Sequence, residues 1–312
     1  MQIYDKKTGF LLDTLAQLEK GAPDADCSGS KETLKKRARS KYISNGISLK
    51  LADLDTDLKK SYYNTYHCAS ALEQHDNKIT GKYCNNRWCL TCNRIRTAKL
   101  INGYRKTLSE LNDKTFITLT IPNVKGNELS DAINDMISEF KKMQKTFAKR
   151  KTPIVGIRKL EVTFNAERCD FHPHFHLVVS GYEIANEIVS EWLKRNITAN
   201  VKGQNIKQAD DNSIMELFKY FTKIVTKKSI YISALDTIFS AMRNRRVFQP
   251  MGIEKDISED IENIQAEVIE DLQFREAVWT WIDTDWVNPE TGETLTGYAP
   301  SENVTTLIKS IK

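Results

Sequence analysis

Phe171-His172-Pro173-His174-Phe175-His176-Leu177-Val178-Val179 holds three of the chain's five histidines, alternating with bulky or apolar residues and running into a Leu-Val-Val tail. Alternation and the β-branched tail predict a strand, in which successive side chains point to opposite faces. His174 and His176 then leave the same face with Cα atoms roughly 6.5–7 Å apart at the usual strand rise. Two imidazoles at that separation can hold one metal ion. The plainer alternative is a strand whose histidines are satisfied by hydrogen bonds.

The pattern on either side of this strand has a clear period. Residues 115–121 alternate Ile117, Leu119 and Ile121 against Phe116, Thr118 and Thr120 until Pro122 ends the run, which predicts a strand. Leu129, Ile133, Met136, Ile137, Phe140, Met143 and Phe147 mark one face of a long helix, with Asn127 or Ser130 as its cap. Residues 154–164 form a second strand, and 165–170 a polar connection to the histidine strand. Ile184, Ile188 and Leu193 mark a further helix, 197–206 a weaker strand, and 213–227 a last helix. The order β-α-β-β-α-β-α is a ferredoxin-like split arrangement: an α+β fold with a mainly antiparallel sheet and helices on one face.

Before this domain lies Cys84-x4-Cys89-x2-Cys92, with Cys68 sixteen residues upstream of Cys84. Four thiolates reaching one point suit a structural, tetrahedral Zn²⁺. His67 or His75 could replace Cys68, and four separately buried thiols are the alternative. Arg87, Arg94, Arg96 and Lys99 give this element a basic rim suited to phosphates.

With 312 residues and a net charge of +5, the total charge is mild, but its distribution is not. Residues 31–41 carry six bases (Lys31, Lys35, Lys36, Arg37, Arg39, Lys41) against Glu32 alone, and 141–151 carry six more. By contrast, 254–276 hold nine acids with Lys255 and Arg275. The asymmetry suggests a polyanion-binding side and an acidic appendage, although any single run reads equally well as a solvated face. Neither a signal pattern nor a bilayer-spanning apolar stretch is evident, so a soluble bacterial protein of the cytoplasm is expected, with thiols rather than disulfides.

The expected organisation is a basic helical region (1–60), a cysteine-rich zinc element (61–110), a catalytic domain (111–230) and an accessory region (231–312). In the first, Leu11, Leu12, Leu15 and Leu18, then Leu49, Leu51, Leu54 and Leu58, have helical spacing. In the last, Arg243, Arg245 and Arg246 cluster, and Ile257, Ile261, Ile264, Val268 and Leu272 stripe an acidic helix. Trp279, Trp281 and Trp286, read as core, precede a turn at 288–292.

In the helix at 213–227, Glu216, Tyr220, Lys223 and Lys227 fall within roughly 60° around the axis, whereas Leu217, Phe218 and Phe221 occupy the other side. Tyr220 is thus turned away from the helix's apolar stripe, between an acid and a lysine. A phenol has a pKa of about 10, and a nearby cation lowers it. Tyr220 could then attack a DNA phosphodiester, leaving a covalent phosphotyrosine and a free 3′-hydroxyl. Glu216 could activate a second nucleophile as general base. The rival reading takes Ser213-x-x-Glu216 as a capping box and the polar residues as a surface stripe.

These blocks together resemble the rolling-circle replication initiators of small plasmids, in the single-tyrosine subgroup of the HUH endonuclease superfamily. Phe116-Ile-Thr-Leu-Thr-Ile-Pro-Asn-Val124 is similar to the family's first motif. Leu160-Glu-Val-Thr-Phe164 leading to His172-Pro-His-Phe-His-Leu177 is similar to its metal motif, and Glu216-Leu-Phe-Lys-Tyr-Phe-Thr-Lys223 to its tyrosine motif. The resemblance covers about 65–230. It implies that His174 and His176 bind a divalent ion, Mg²⁺ or Mn²⁺, that Tyr220 nicks, and that Glu216 assists termination by hydrolysis; Lys223, on the same helical face, is the cation beside the phenol. Imidazole ligands by themselves favour Mn²⁺ or Zn²⁺ over Mg²⁺. Glu161, expected opposite His176 in an antiparallel pair, is the candidate third ligand. The implied partners are single-stranded or cruciform origin DNA and the host replication helicase and polymerase. Two rivals stand beside this reading: an HUH transposase or mobilisation relaxase, and a non-catalytic zinc-containing DNA-binding protein. Relaxases commonly place the tyrosine before the histidines, whereas Tyr220 follows His176 by 44 residues.

Overall fold

The computed structural model describes residues 31–75, 78–210, 213, 217–218, 230–253 and 276–311. In chain order its elements are helices α1 (Lys31–Ala52) and α2 (Lys59–Tyr66), strands β1 (Ala71–His75) and β2 (Lys78–Gly81), and helix α3 (Leu90–Glu110). Strand β3 (Lys114–Thr120), helix α4 (Leu129–Lys149), strands β4 (Gly156–Asn165) and β5 (Asp170–Ser180), and helix α5 (Tyr182–Arg195) follow. The last elements are strand β6 (Asn205–Gln208), helix α6 (Ile232–Met242), strands β7 (Phe248–Met251), β8 (Ala277–Ile282) and β9 (Asp285–Val287), and helix α7 (Glu302–Lys309). The helices expected over 11–18 and 257–272 lie outside the described residues.

The described residues fall into two compact units, one made of 31–102, 230–236 and 276–311, the other of 103–219 and 237–253. In the second, five strands pair antiparallel in the order β6-β3-β5-β4-β7. Without β7 this is the β-α-β-β-α-β sheet expected from the sequence, with the histidine strand central. Central strands are buried on both faces, which is why β5 reads as a nearly continuous apolar run broken only by its histidines. The added edge strand β7, Phe-Gln-Pro-Met, is short and contains Pro250, which an edge tolerates but which conceals a strand from pattern reading.

Helices α4 and α5 cover one face of this sheet. The stripe on α4 is buried at Leu129, Ile133, Met136, Phe140, Met143 and Phe147. Phe175 meets Phe140 and Trp192 with ring centroids 5.4 and 5.8 Å apart. Neither Asn127 nor Ser130 caps α4. A 3₁₀ turn (Gly126–Glu128) leads into the helix, Glu128 Oε2 accepts from the Lys125 N–H at 3.1 Å, and the Ser130 hydroxyl is taken by Arg245 at 2.9 Å. Strand β4 begins at Gly156, with φ 152°, where a Cβ would lie 2.0 Å from the Val178 carbonyl oxygen. Only glycine fits that approach. The strand expected over 197–206 is confined to Asn205–Gln208, because 196–204 turn back on themselves around Asn200 and Gln204.

The first unit carries a second sheet, β2-β1-β8-β9, also antiparallel. Leu72 pairs with Trp279 and Glu73 with Val278, so the C-terminal tryptophans are brought to the cysteine element. Trp286 is buried, and its indole N–H donates to the Ala69 carbonyl at 2.7 Å. The basic run 31–41 is the first half of α1.

Candidate active site

On β5, His174 and His176 lie on the sheet face opposite Phe175 and are nearly buried, at 6 % and 9 % exposure. Their Nε2 atoms are 3.1 Å apart. The His174 Nδ1–H donates to the His172 carbonyl at 3.0 Å, which leaves the Nε2 lone pair facing its neighbour, and His176 Nδ1 is 3.2 Å from the Thr118 hydroxyl. Glu161 Oε2 stands 3.6 Å from His176 Nε2. One ligand atom from each of Glu161, His174 and His176 lies within 4.8 Å of the others, so the three could hold one ion. Two ring nitrogens facing each other at hydrogen-bond distance need a proton or a cation between them, and the nearby carboxylate favours a cation. Burial pushes the His174 ring down to about 4, with the Glu161 charge opposing, which keeps it in the neutral form a metal requires.

The expected register of Glu161 is corrected by two residues: it pairs with His174, and Lys159 pairs with His176. The connection is tighter than supposed, with Asn165 already paired to Asp170 and Cys169 taking a left-handed φ of 52°. Both registers keep Glu161 on the histidine face, because an even shift preserves side-chain direction. Lys159, which the sequence did not single out, is 3 % exposed and donates to Glu161 Oε2 at 2.8 Å. Its signal was present two residues before Glu161 on the same face. His172 stacks on His174 at 5.0 Å between centroids but is not among the three grouped ligands.

Tyr220, Glu216 and Lys223 lie outside the described residues. Of their helix, Leu217 and Phe218 are buried, Phe218 stacking on Tyr104 at 6.2 Å and on Phe248 at 5.8 Å. Asp210 accepts both the N–H (2.8 Å) and the hydroxyl of Ser213. Ser213 is itself helical, and these bonds hold the Asp210 carboxyl below its ordinary range.

Cys68, Cys84, Cys89 and Cys92 bring one sulfur each within 4.8 Å of the others, and the cluster could bind zinc. Cys92 Sγ is 3.5 Å from Cys68 and 3.6 Å from Cys84. Cys84 is pulled toward thiolate by its sulfur neighbours, whereas Cys68 and Cys92 are pushed toward thiol, a conflict that a divalent cation removes. Of the alternative ligands, His75 is 3.6 Å from Glu73 and the His67 ring packs on Tyr66, and neither joins the group. Lys41 is buried: its ammonium donates to the Cys68 and Tyr66 carbonyls at 2.7 and 3.2 Å, and burial draws it down to about 8 against the pull of the thiols. The basic rim is likewise thinner than expected. Arg96 is buried and bonded to Asn93 and Asn85, and Lys99 is buried too, because α3 packs that side inward.

Among the described residues no helix is long and apolar enough to cross a membrane. The replication protein family model matches residues 77–182, which include Cys84, Cys89, Cys92, Glu161, His174 and His176. A rep protein of a Bacillus species is 27 % identical over 247 residues, 64 % of this chain and 80 % of that protein. One of Staphylococcus aureus is 28 % identical over 222 residues (63 % and 94 %), and one of Bacillus amyloliquefaciens is 28 % identical over 247 residues (64 % and 73 %). No solved structure gives a significant match. The motifs and these similarities agree: residues 77–182 match the replication protein model, and together they support a plasmid replication initiator.

Proposed function

We propose that this protein starts rolling-circle replication by nicking one strand of an origin, with Tyr220 as nucleophile and the Glu161–His174–His176 group holding a divalent ion. The observation that carries the reading is the pair of buried imidazoles whose Nε2 atoms converge 3.1 Å apart beside a carboxylate. Two nitrogens and one oxygen suit Mn²⁺ or a similar ion. Such an ion, when bound, draws charge from the phosphate oxygens and makes phosphorus more electrophilic. The second, cysteine-held ion is read as structural zinc.

The chain's own residues supply the remainder. The Tyr220 Oη–P bond forms as the P–O3′ bond breaks, giving a 5′-phosphotyrosine, and the phenolic proton ends on the departing 3′ oxygen or in solvent. Lys223, one turn on, favours the phenolate. The 3′-hydroxyl primes synthesis, and Glu216 later acts as general base for the nucleophile that releases the strand. Buried Leu217 and Phe218 support the assignment, since they belong to the apolar stripe from which Tyr220 is turned away. Mass spectrometry after reaction with a single-stranded origin oligonucleotide tests the reading. Tyr220→Phe should bind DNA without nicking or adduct, and appreciable nicking by that variant would refute the mechanism.

A further inference from the structure

We propose that Arg37, Arg39 and Arg94 form a phosphate-binding site for the backbone of duplex DNA on the cysteine-bearing unit; the identity of the polyanion rests on the replication-initiator reading. The structure sorts the basic residues of this region into two kinds. Lys41 and Arg96 are spent on internal carbonyls and amides, and Lys36 is 3.8 Å from Glu32. Arg37, Arg39 and Arg94 make no hydrogen bond or ion pair among the described residues, although Arg37 is buried and Arg94 is partly so.

The three are brought together by packing. The α3 start is tied to α1 where the Leu90 N–H donates to the Ser44 hydroxyl at 3.0 Å. Arg94 follows Leu90 by one turn of α3 and Arg37 precedes Ser44 by two turns of α1, and burial, then the charges of Arg37 and Arg39, draw the Arg94 guanidinium down to about 10. Glu32 is the opposing carboxylate, and it is already near Lys36. Like charges gathered without a counter-charge destabilise the fold, and a phosphate removes the repulsion. Guanidinium is a donor-only fork whose geometry matches phosphate oxygens bidentately. A further donor stands by the same helix: the Tyr298 ring packs at 6.3 Å on Tyr42, one turn along α1 from Arg39, and its buried hydroxyl has no hydrogen-bond partner among the described residues. Exposed Lys31 and Lys35 continue the charge along α1, whose 22 residues span about 33 Å. Contacts of this kind position a duplex without reading its sequence.

The test is fluorescence anisotropy of the full-length protein on a labelled duplex of arbitrary sequence, titrated with salt. Removing two phosphate contacts by Arg39→Gln with Arg94→Gln should lower the slope of log K against log salt by about 1.8, and affinity at ~0.15 M salt by about thirtyfold. Arg39 is exposed, so Arg39→Gln alone should fold and lower the slope by about 0.9. Lys50→Gln with Lys309→Gln removes the same charge from exposed positions of the same unit and should leave the slope nearly unchanged. An unchanged slope in the arginine variants at wild-type metal content, an equal drop in the lysine control, or a loss confined to single strands would overturn the site. The wild type's nicking of an origin oligonucleotide is scored separately. Its absence would count against the initiator reading, whereas nicking with an unchanged arginine slope would count against the arginine site alone.

Discussion

Cys92→Ser should unfold the cysteine-bearing unit rather than merely loosen it. Cys92 is fully buried, with its sulfur at 3.5 and 3.6 Å from two others, inside a core that includes Leu34, Ala38, Leu72, Tyr83 and Trp286. If the four sulfurs were only buried thiols, burying a hydroxyl in place of one would cost about 1–3 kcal/mol. If they hold a structural zinc, the ion contributes about 10–16 kcal/mol of apparent folding free energy near neutral pH. Whole domains are stable by only about 5–15 kcal/mol, so the second case leaves no folded unit. Trp88, Trp279, Trp281 and Trp286, four of the chain's five tryptophans, lie in this unit and report on it. Elemental analysis should find the cysteine-held metal lost, and tryptophan emission should shift to the red without denaturant. Cys169→Ser, at an exposed thiol, should change neither. A Cys92→Ser protein with wild-type emission and only a small drop in its urea midpoint would refute the metal argument.

Other outcomes test the second centre. His174→Ala with His176→Ala should abolish Mn²⁺ binding by calorimetry and divalent-dependent cleavage while metal at the cysteines persists; joint loss would show that the two groups do not hold separate ions. Glu216→Ala should nick near the wild-type rate yet terminate poorly, giving products longer than one plasmid unit, whereas a cap role predicts about 1 kcal/mol lost and both activities reduced alike. For pH, the depressed His174 pKa means that between about 6.5 and about 4 the unfolded chain binds more protons than the folded one. Stability should therefore rise with pH across that window and fall by up to about 3 kcal/mol on acidification, without added divalent ions. His174→Gln should flatten that part of the urea-midpoint profile, and an unaltered profile would count against the buried neutral ring.

The alternation of 171–179, the apolar spacing on α4 and the breaks at Pro122 and 165–170 made the order of elements readable, because strand and helix periods are local properties of a chain. The same locality put His174 and His176 on one face and kept Glu161 with them. Which residue Glu161 opposes depended on a turn two residues tighter than its composition implied, and Lys159 and Thr118 entered the site only through strand pairing. The tertiary structure alone decided that 277–287 would join 71–75, about two hundred residues away in sequence, since no local signal encodes a partner at that distance. It also decided which charges are surface. Lys41, in a run that reads equally well as solvated, and Arg96, expected on a basic rim, lie inside and hydrogen-bonded. Burial and hydrogen bonding, which decide what a charge does, are properties of packing rather than of composition.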